Sequence, residues 1–423
     1  MTPSELSARI KTFAEGLGFD LCRIAKPGTP AHLEFFRRWL DRGNAAGMQY
    51  MHRFGDRRAD PAALVPASVR ERPRSIVVLG VDYFQFALDA AVRDDPSRGI
   101  IASYAWGQDY HDIIRPLLFE LDAFIRSLSG RREQAKCLVD TGPVLERDWA
   151  MMSGAGFSGK NCCTIHPQRG SWLFLATIVV PEDLAPDAID GSVDWDAGEI
   201  LAGADRRAHF GFWELHAIDG DRRVTGTCGQ CTRCMDVCPT DAFAGPFHLD
   251  ARRCIAYWTI ETQDAIPIAL RRGFGNRIFG CDICQEVCPW NTDQPRRFPR
   301  LAALRAVPDR VAPRLLDGFD PSHPYWLDDE AFRRQFSGSP VLRAKRVGML
   351  RNISVALGNW GAAAAVDGLR LAAGDASPVV RAHAAWGLSQ VRARTRSAEA
   401  ARILSGLRTA DPSDLVRAEA ALL

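Results

Sequence analysis

The sequence predicts an α+β protein with several domains, and three observations support this prediction. The chain has 423 residues, which is enough for two or three domains. Residues 1–180 alternate between helical periodicity and short runs rich in β-branched residues. Eight of the twelve cysteines lie within residues 228–288, and a repeating helical pattern begins near residue 340. We therefore expect three domains, at 1–215, 216–295 and 296–423, the last including a linker.

Periodicity and turn residues locate the elements of the first domain. The predicted elements are a helix at 2–17, a strand at 21–24, a helix at 31–42, strands at 75–84, 137–140 and 172–180, and a helix that begins after Asp109. Asp109 is expected to cap that helix with its side chain. Residues 181–227 do not give a pattern that assigns them to helix or strand.

Two cysteine runs dominate residues 228–288. They are Cys228-x-x-Cys231-x-x-Cys234-x-x-x-Cys238-Pro239 and Cys281-x-x-Cys284-x-x-x-Cys288-Pro289, with Cys254 between them. The first run has the bacterial ferredoxin spacing, in which three thiolates hold one 4Fe–4S cluster and the fourth ligates a second cluster. Exchange of ligands between the runs predicts two sets: Cys228, Cys231, Cys234 and Cys288 for one cluster, and Cys238, Cys254, Cys281 and Cys284 for the other.

Zinc and disulfides are the alternatives for these cysteines. Zinc sites use pairs of Cys-x-x-Cys and leave the third cysteine of the first run unexplained. Disulfides belong to oxidising compartments, and the N-terminal segment lacks the apolar core of a signal peptide. The longest apolar run, at 172–180, is too short to cross a membrane. We therefore predict two iron–sulfur clusters in a cytoplasmic protein.

The last third of the chain is basic and repetitive. Residues 1–295 carry a formal charge of −6 and residues 296–423 one of +8, and between 331 and 366 there are six basic residues and no acid. DASPVVRAHAAWGL from Asp375 recurs as DPSDLVRAEAALL from Asp411, a period of 36 that is close to that of HEAT repeats. This tail fits either a polyanionic partner such as RNA or a solvated basic face without a partner.

Few other residues point to a reaction. No GxGxxG motif follows a strand, so a nicotinamide site is unsupported, and the glycine-rich loop 154–161 is expected to let backbone approach a planar cofactor. Asp140 ends a predicted strand, where catalytic acids often lie, although a turn-forming role is equally expected. Tyr110 and His111 start a helix, where a core role is at least as expected as ligation. The remaining cysteines are expected to be buried hydrophobes, namely Cys22, Cys137, Cys162 and Cys163.

Six stretches together resemble the epoxyqueuosine reductase family. In chain order they are SYAWGQDYH from Ser103, VDTGPVLERDWA from Val139, GAGFSGKNC from Gly154, CGQCTRCMDVCPTDA from Cys228, RRCIAYWTIE from Arg252 and GNRIFGCDICQEVCPWN from Gly275. The resemblance covers roughly residues 1–300, and many members of the family carry a HEAT-like tail. It implies a flavin-nitroreductase-like domain that binds cobalamin instead of flavin, followed by a ferredoxin-like domain with two clusters.

The resemblance also implies a reaction and a site. The family reduces epoxyqueuosine to queuosine in the tRNA anticodon loop, with cob(I)alamin regenerated through the clusters by an external low-potential donor. Asp140 corresponds to the proton donor, and burial is expected to raise its pKa so that it stays protonated. The implied cobalamin contacts are Arg58, Ala102, Asp140, Thr164, Leu175, Ala256 and Asp282. We expect a monomer that does not associate with membranes and whose basic tail contacts tRNA phosphates.

Two other functional classes remain open from the sequence. A cobalamin-dependent reductive dehalogenase would share the clusters and the corrin domain, but it would usually carry a twin-arginine signal, which is not seen here. A ferredoxin-like electron carrier or a repeat-based binding protein would require neither Asp140 nor the glycine-rich loop.

Overall fold

The computed structural model describes residues 1–65, 72–187, 215–219, 222–226, 228–292, 298–320 and 328–421. Its strands are β1 (Leu21–Ala25), β2 (Ser75–Asp82), β3 (Ile100–Ile101), β4 (Lys136–Val139), β5 (Phe157–Ser158), β6 (Thr164–Ile165), β7 (Leu173–Val180), β8 (Leu215–Asp219), β9 (Arg222–Gly226), β10 (Phe243–Gly245), β11 (His248–Leu249) and β12 (Arg277–Phe279).

The α-helices are α1 (Pro3–Gly16), α2 (Leu33–Asp41), α3 (Gly55–Ala59), α4 (Ala90–Arg93), α5 (Tyr110–Ser129), α6 (Glu146–Met152), α7 (Arg233–Asp236), α8 (Ile268–Arg271), α9 (Ile283–Glu286), α10 (Pro289–Thr292), α11 (Asp329–Gln335), α12 (Lys345–Trp360), α13 (Ala365–Ala373), α14 (Pro378–Thr395), α15 (Ala398–Ala410) and α16 (Asp414–Ala421). We refer to residues 1–187 as the N-terminal part, 228–292 as the cysteine-rich part and 328–421 as the helical tail.

An antiparallel sheet of four strands forms the centre of the N-terminal part. Its order is β1-β2-β7-β4, and each neighbouring pair is antiparallel. Strand β2 is buried along its whole length because alternate residues face different helices: Val77 packs with α1 and α5, whereas Ile76 and Val78 pack with Trp149 of α6. The antiparallel connections confirm the α+β class.

The predicted elements of the N-terminal part are present, with ends that differ by a few residues. Asp109 caps α5 as expected, since its carboxylate accepts a hydrogen bond from the His111 N–H at 3.0 Å. Within the unassigned segment 181–227, β8 and β9 form an antiparallel hairpin. Residues 188–214 of that segment lie outside the described residues.

A short parallel pairing joins the N-terminal part to the cysteine-rich part. Strand β12 pairs with β3, with Arg277 opposite Ile100 and Phe279 opposite Ile101. The N–H of Ala102 continues this ladder by donating to the Phe279 carbonyl at 2.8 Å. Backbone hydrogen bonds therefore cross the domain boundary that the sequence predicted.

Paired helices of the tail follow the predicted period of 36 residues. Asp375 and Asp411 each accept a hydrogen bond from the N–H two residues later, at 2.8 and 2.9 Å. Their backbone carbonyls accept from Arg381 and Arg417, which are each six residues further on. The repeated residues thus make repeated contacts, and the HEAT-like architecture is confirmed. No helix in the described ranges is long and apolar enough to cross a bilayer.

Three of the six basic residues in the run 331–366 pair with acids from outside it, namely Arg334, Arg343 and Arg346. Arg351 is fully buried and donates to backbone carbonyls of the cysteine-rich part. Arg346 pairs with Asp375 at 2.6 Å, and Arg343 pairs with Glu261 at 2.8 Å. An equivalent arginine–aspartate pair recurs one repeat later. These internal contacts leave less of the run available to a polyanionic partner than its sequence alone indicates, because its acidic partners lie outside the run.

Candidate active site

Asp140 immediately follows β4 and has an unusual backbone conformation. Its φ of +51° lies in the left-handed region, which residues other than glycine seldom adopt. The Asp140 N–H donates to Glu146 Oε1 at 2.9 Å, and the Asp140 carboxylate accepts from the Tyr110 hydroxyl. His111 Nε2 lies 3.6 Å from Asp140 Oδ2. The side chain of Asp140 is 59% exposed, so these contacts hold a carboxylate that faces open space.

The start of α5 supplies a charged partner for Asp140. The Nδ1 atom of His111 lies 2.8 Å from Asp109 Oδ1. Burial disfavours the imidazolium, but the contacts with Asp109 and Asp140 outweigh burial and raise the pKa of His111 to about 9. The ring of Tyr110 stacks on Phe174 of β7 with 4.1 Å between centroids, which fixes its hydroxyl. At neutral pH the structure therefore places an imidazolium beside a carboxylate.

The pKa of Asp140 shifts in the direction opposite to the expectation. Burial favours the neutral acid, but the interactions with His111 and Tyr110 stabilise the carboxylate more and lower the pKa of Asp140. Glu146 behaves differently, since burial and the nearby charge of Asp140 raise its pKa to about 8. The expectation that burial keeps Asp140 protonated is thus wrong for this structure, in which the proton of the pair resides on His111.

Residues from all three parts surround Asp140. The Tyr50 hydroxyl donates to Glu261 at 3.4 Å, and the Arg343 guanidinium lies 5.9 Å from the centre of the Tyr50 ring. Arg343 also pairs with Glu261, and each of Tyr50, Tyr104 and Arg343 interacts electrostatically with Asp140. Tyr50, Glu261 and Arg343 could not be assigned to this site from the sequence, because they come from segments far apart in the chain.

Two of the implied cobalamin contacts meet where β3 and β12 end. Asp282 Oδ2 accepts a hydrogen bond from the Ser103 N–H at 2.6 Å, which places Asp282 next to Ala102. The hydroxyl of Ser103 is buried and has no hydrogen-bond partner among the described residues. Ala256, a third implied contact, is half-buried and precedes the π-helical turn Tyr257–Glu261. Ala102 is buried, and its N–H and carbonyl are both in backbone hydrogen bonds, whereas Ala256 is partly exposed.

The other implied contacts lie on three further elements. Arg58 is buried in α3 and its guanidinium donates to the Tyr50 carbonyl at 3.5 Å. Thr164 is buried on β6, and its hydroxyl also lacks a hydrogen-bond partner within the described ranges. Leu175 is half-buried on β7. Buried hydroxyls without partners are uncommon, so Thr164 and Ser103 fit a site completed by a polar cofactor.

The seven cysteines of the two runs and Cys254 lie near one another. Cys234 interacts electrostatically with Cys228, Cys231 and Cys288, and Cys254 does so with Cys238, Cys281 and Cys284. Cys284 also interacts with Cys234, so these contacts do not divide the ligands into two sets. All twelve cysteines of the chain are free. The other four cysteines were expected to be buried, and all of them are half-buried. Cys22 and Cys137 pack against the core of the sheet, and Cys162 and Cys163 lie near the cysteine runs.

The glycine-rich loop 154–161 contacts the first cysteine run. The Lys160 N–H donates to Cys228 Sγ at 3.4 Å, and Lys160 Nζ donates to the carbonyls of Gly229 and Cys231 at 2.7 and 3.1 Å. Asn161 donates to the Cys284 carbonyl at 3.4 Å. The end of this loop therefore supports the cysteine runs, a role that the sequence analysis did not assign.

Comparison with known proteins gives the family. A model described as epoxyqueuosine reductase QueG, DUF1730, matches residues 58–141, a 4Fe-4S double cluster binding domain matches 227–291, and HEAT repeats match 347–423. The epoxyqueuosine reductase of Xanthomonas campestris pv. campestris is 36% identical over 392 residues, covering 92% of this chain and 97% of that one. The chain belongs to the epoxyqueuosine reductase family. The matched double-cluster domain confirms the prediction of two 4Fe–4S clusters.

Solved structures of epoxyqueuosine reductases share the fold of this family member. One, which contains a tRNA-Tyr epoxyqueuosine-modified tRNA stem loop, has a TM-score of 0.80 at 25% identity and covers 99% of this chain and 98% of that chain. The Bacillus subtilis enzyme has a TM-score of 0.78 at 25% identity with the same coverage, and its structure shows an aspartate catalytic loop swung out of the active site. These similarities favour an epoxyqueuosine reductase over a dehalogenase or an electron carrier.

Proposed function

We propose that this oxidoreductase reduces epoxyqueuosine to queuosine in the anticodon loop of tRNA. The observation that carries the proposal is the Asp140 site, in which Tyr110 and His111 hold an accessible carboxylate where the three parts of the chain meet. The names of the relatives and the stem loop bound by one of them support the choice of substrate.

The proposed reaction removes the epoxide oxygen as water and leaves a carbon–carbon double bond, which requires two electrons and two protons. Cobalamin, when bound, supplies the reducing power at the substrate. Because the proton of the pair resides on His111, the imidazolium passes it to Asp140 across the 3.6 Å separation of Nε2 and Oδ2, and Asp140 delivers it to the departing oxygen. Asp109 keeps the imidazole oriented through Nδ1. The second proton comes from solvent.

The proposed cobalamin contacts are those implied by the resemblance. Ser103 and Thr164 offer hydroxyls without hydrogen-bond partners among the described residues, and the small side chains of Ala102 and Ala256 leave room beside them. Asp282 is adjacent to Cys281, so the cluster held by Cys238, Cys254, Cys281 and Cys284 would adjoin the corrin. The cluster held by Cys228, Cys231, Cys234 and Cys288 would then receive electrons from the external donor.

The proposed tRNA contacts lie near the active site rather than along the whole tail. Arg346 and Arg351 are buried in internal contacts and cannot bind phosphates. Arg343 remains partly exposed beside Tyr50, whose ring is 42% exposed. An exposed aromatic ring beside a guanidinium suits a splayed anticodon base and its phosphate. This pair therefore marks the proposed entrance to Asp140.

The test is the Asp140→Asn variant, reconstituted anaerobically with iron, sulfide and cobalamin and assayed on a stem loop that carries epoxyqueuosine. We expect kcat to fall by about 10²-fold or more while the cluster and corrin spectra persist. Asp241→Asn is the matched control, because Asp241 has a similar φ of +49° and an exposed side chain. Wild-type enzyme that is fully loaded and reduced but produces no queuosine would contradict the proposal.

A further inference from the structure

We propose that Lys160 is part of the first cluster site, where its buried ammonium group fixes the loop from Cys228 to Cys231 and raises the reduction potential of the cluster. The inference rests on the ligand set given under the proposed function, but it does not depend on the tRNA reaction. It assigns to the glycine-rich loop a role in electron transfer.

The position of Lys160 supports this role. Lys160 is only 5% exposed, although lysine is seldom buried. Its stem extends from the N-terminal part into the cysteine-rich part, where Nζ donates to the carbonyls of Gly229 and Cys231. Gly229 has a φ of +46°, so the ammonium group holds a stretch of backbone in a conformation that favours glycine. The contacts of one side chain thus shape the loop between two proposed ligands.

The charge of Lys160 has an electrostatic consequence. A cluster held by four thiolates is anionic, and reduction adds another negative charge. A cation in a poorly solvated site stabilises the reduced state more than the oxidised state, which raises the potential. The hydrogen bond from the Lys160 N–H to Cys228 Sγ acts in the same direction, because it withdraws electron density from the thiolate.

The same charge favours assembly of the site. Iron binds the thiolate form of cysteine, and a nearby ammonium group stabilises that charged form. An external donor would also reduce a cluster of higher potential more readily. Lys160 would therefore contribute both to cluster incorporation and to electron entry.

The test compares Lys160→Met, Lys160→Gln and Lys160→Arg in the full chain after reconstitution with iron and sulfide alone. The readouts are iron and sulfide content and a redox titration of each cluster followed by electron paramagnetic resonance. In Lys160→Met we expect the potential of one cluster to fall by about 59 mV or more, a tenfold change in the equilibrium for reduction, while the other stays constant. In Lys160→Arg, which keeps the positive charge, the reduction potential should stay close to the wild-type value.

Further comparisons separate charge from packing. Lys160→Gln keeps a donor without the charge, so its potential should fall while its iron content exceeds that of Lys160→Met. Lys136→Met, at an exposed lysine on β4, is the control and should leave both potentials unchanged. Unchanged potentials and full iron content in Lys160→Met, or equal losses in the Met and Arg variants, would overturn the inference. Since neither cobalamin nor tRNA is present, failure here is distinguishable from failure of the proposed reaction.

Discussion

Replacement of His111 by glutamine tests the proposed proton path most directly. Glutamine occupies similar space but carries no proton that titrates. The pKa of His111 rises from 6.5 to about 9 because its contacts with Asp109 and Asp140 outweigh its burial, a shift that corresponds to about 3 kcal/mol. Solvent screens the interaction of His111 with Asp140, whose side chain is 59% exposed, so Asp109 provides the larger share of the stabilisation of the imidazolium.

The sign of the effect follows from where the proton resides. Between the lowered pKa of Asp140 and about pH 9, the pair of Asp140 and His111 holds one proton, so the wild-type rate should be level there and fall at higher pH. In His111→Gln no imidazolium supplies this proton, so Asp140 must take it from solvent, which becomes rarer as the pH rises. At pH 7 the rate should therefore fall by about 10²- to 10³-fold, the size of a general-acid contribution.

Single-turnover conversion of the modified stem loop by pre-reduced enzyme measures this effect across the pH range. The His111→Gln rate should recover as the pH is lowered toward about 5, which no loss of packing would produce. In Asp109→Asn the fall in rate at high pH should begin roughly one pH unit lower, because this variant removes one of the two carboxylates that stabilise the imidazolium. A rate loss in His111→Gln that is the same at every pH would refute the reasoning.

Two further predictions concern single contacts. The buried guanidinium of Arg271 donates to the Glu419 carboxylate at 2.6 and 2.8 Å. Glu419→Ala leaves that charge buried without a partner, so the free energy of unfolding measured in urea should fall by about 3–5 kcal/mol. The double variant Arg271→Met with Glu419→Leu should restore most of the lost stability. A decrease of less than about 1 kcal/mol in the free energy of unfolding of Glu419→Ala would contradict this account. Glu146→Ala removes the acceptor of the Asp140 N–H, so kcat should fall roughly three- to tenfold at unchanged KM. Glu146→Gln keeps an acceptor, and steady-state assays that find equal losses in both variants would argue against the contact.

Features that depend on nearby residues could be predicted from the sequence. The Asp109 cap involves a hydrogen bond across two positions, and the Asp375 and Asp411 turns each involve residues within six positions. The buried strand β2 was evident from its run of β-branched residues, since a strand covered on both faces needs no polar alternation. The prediction of two clusters also depended on short cysteine spacings, whereas the pairing of individual ligands remains a prediction.

Features that depend on long-range contacts could not be predicted in this way. The pKa of Asp140 is lowered by groups on α5, and Arg343 reaches the site from the tail. The acid that neutralises Arg346 is 29 residues away, so counting charges along the run gave a misleading picture. Lys160 belonged to a motif that was interpreted by its glycines alone. In each case the deciding partner is close in space but distant in the chain.

The pairing of β3 with β12 has a mechanical consequence for substrate entry. Separation of the N-terminal and cysteine-rich parts at this point would break the backbone hydrogen bonds that Ile100 and Ala102 donate to Asn276 and Phe279. In the proposed reaction, the distance between Asp282 and the N-terminal part should therefore stay constant while RNA binds and leaves. The motion that admits an anticodon loop should instead be confined to the segment between β4 and α6, where Asp140 is tethered by one backbone hydrogen bond to Glu146.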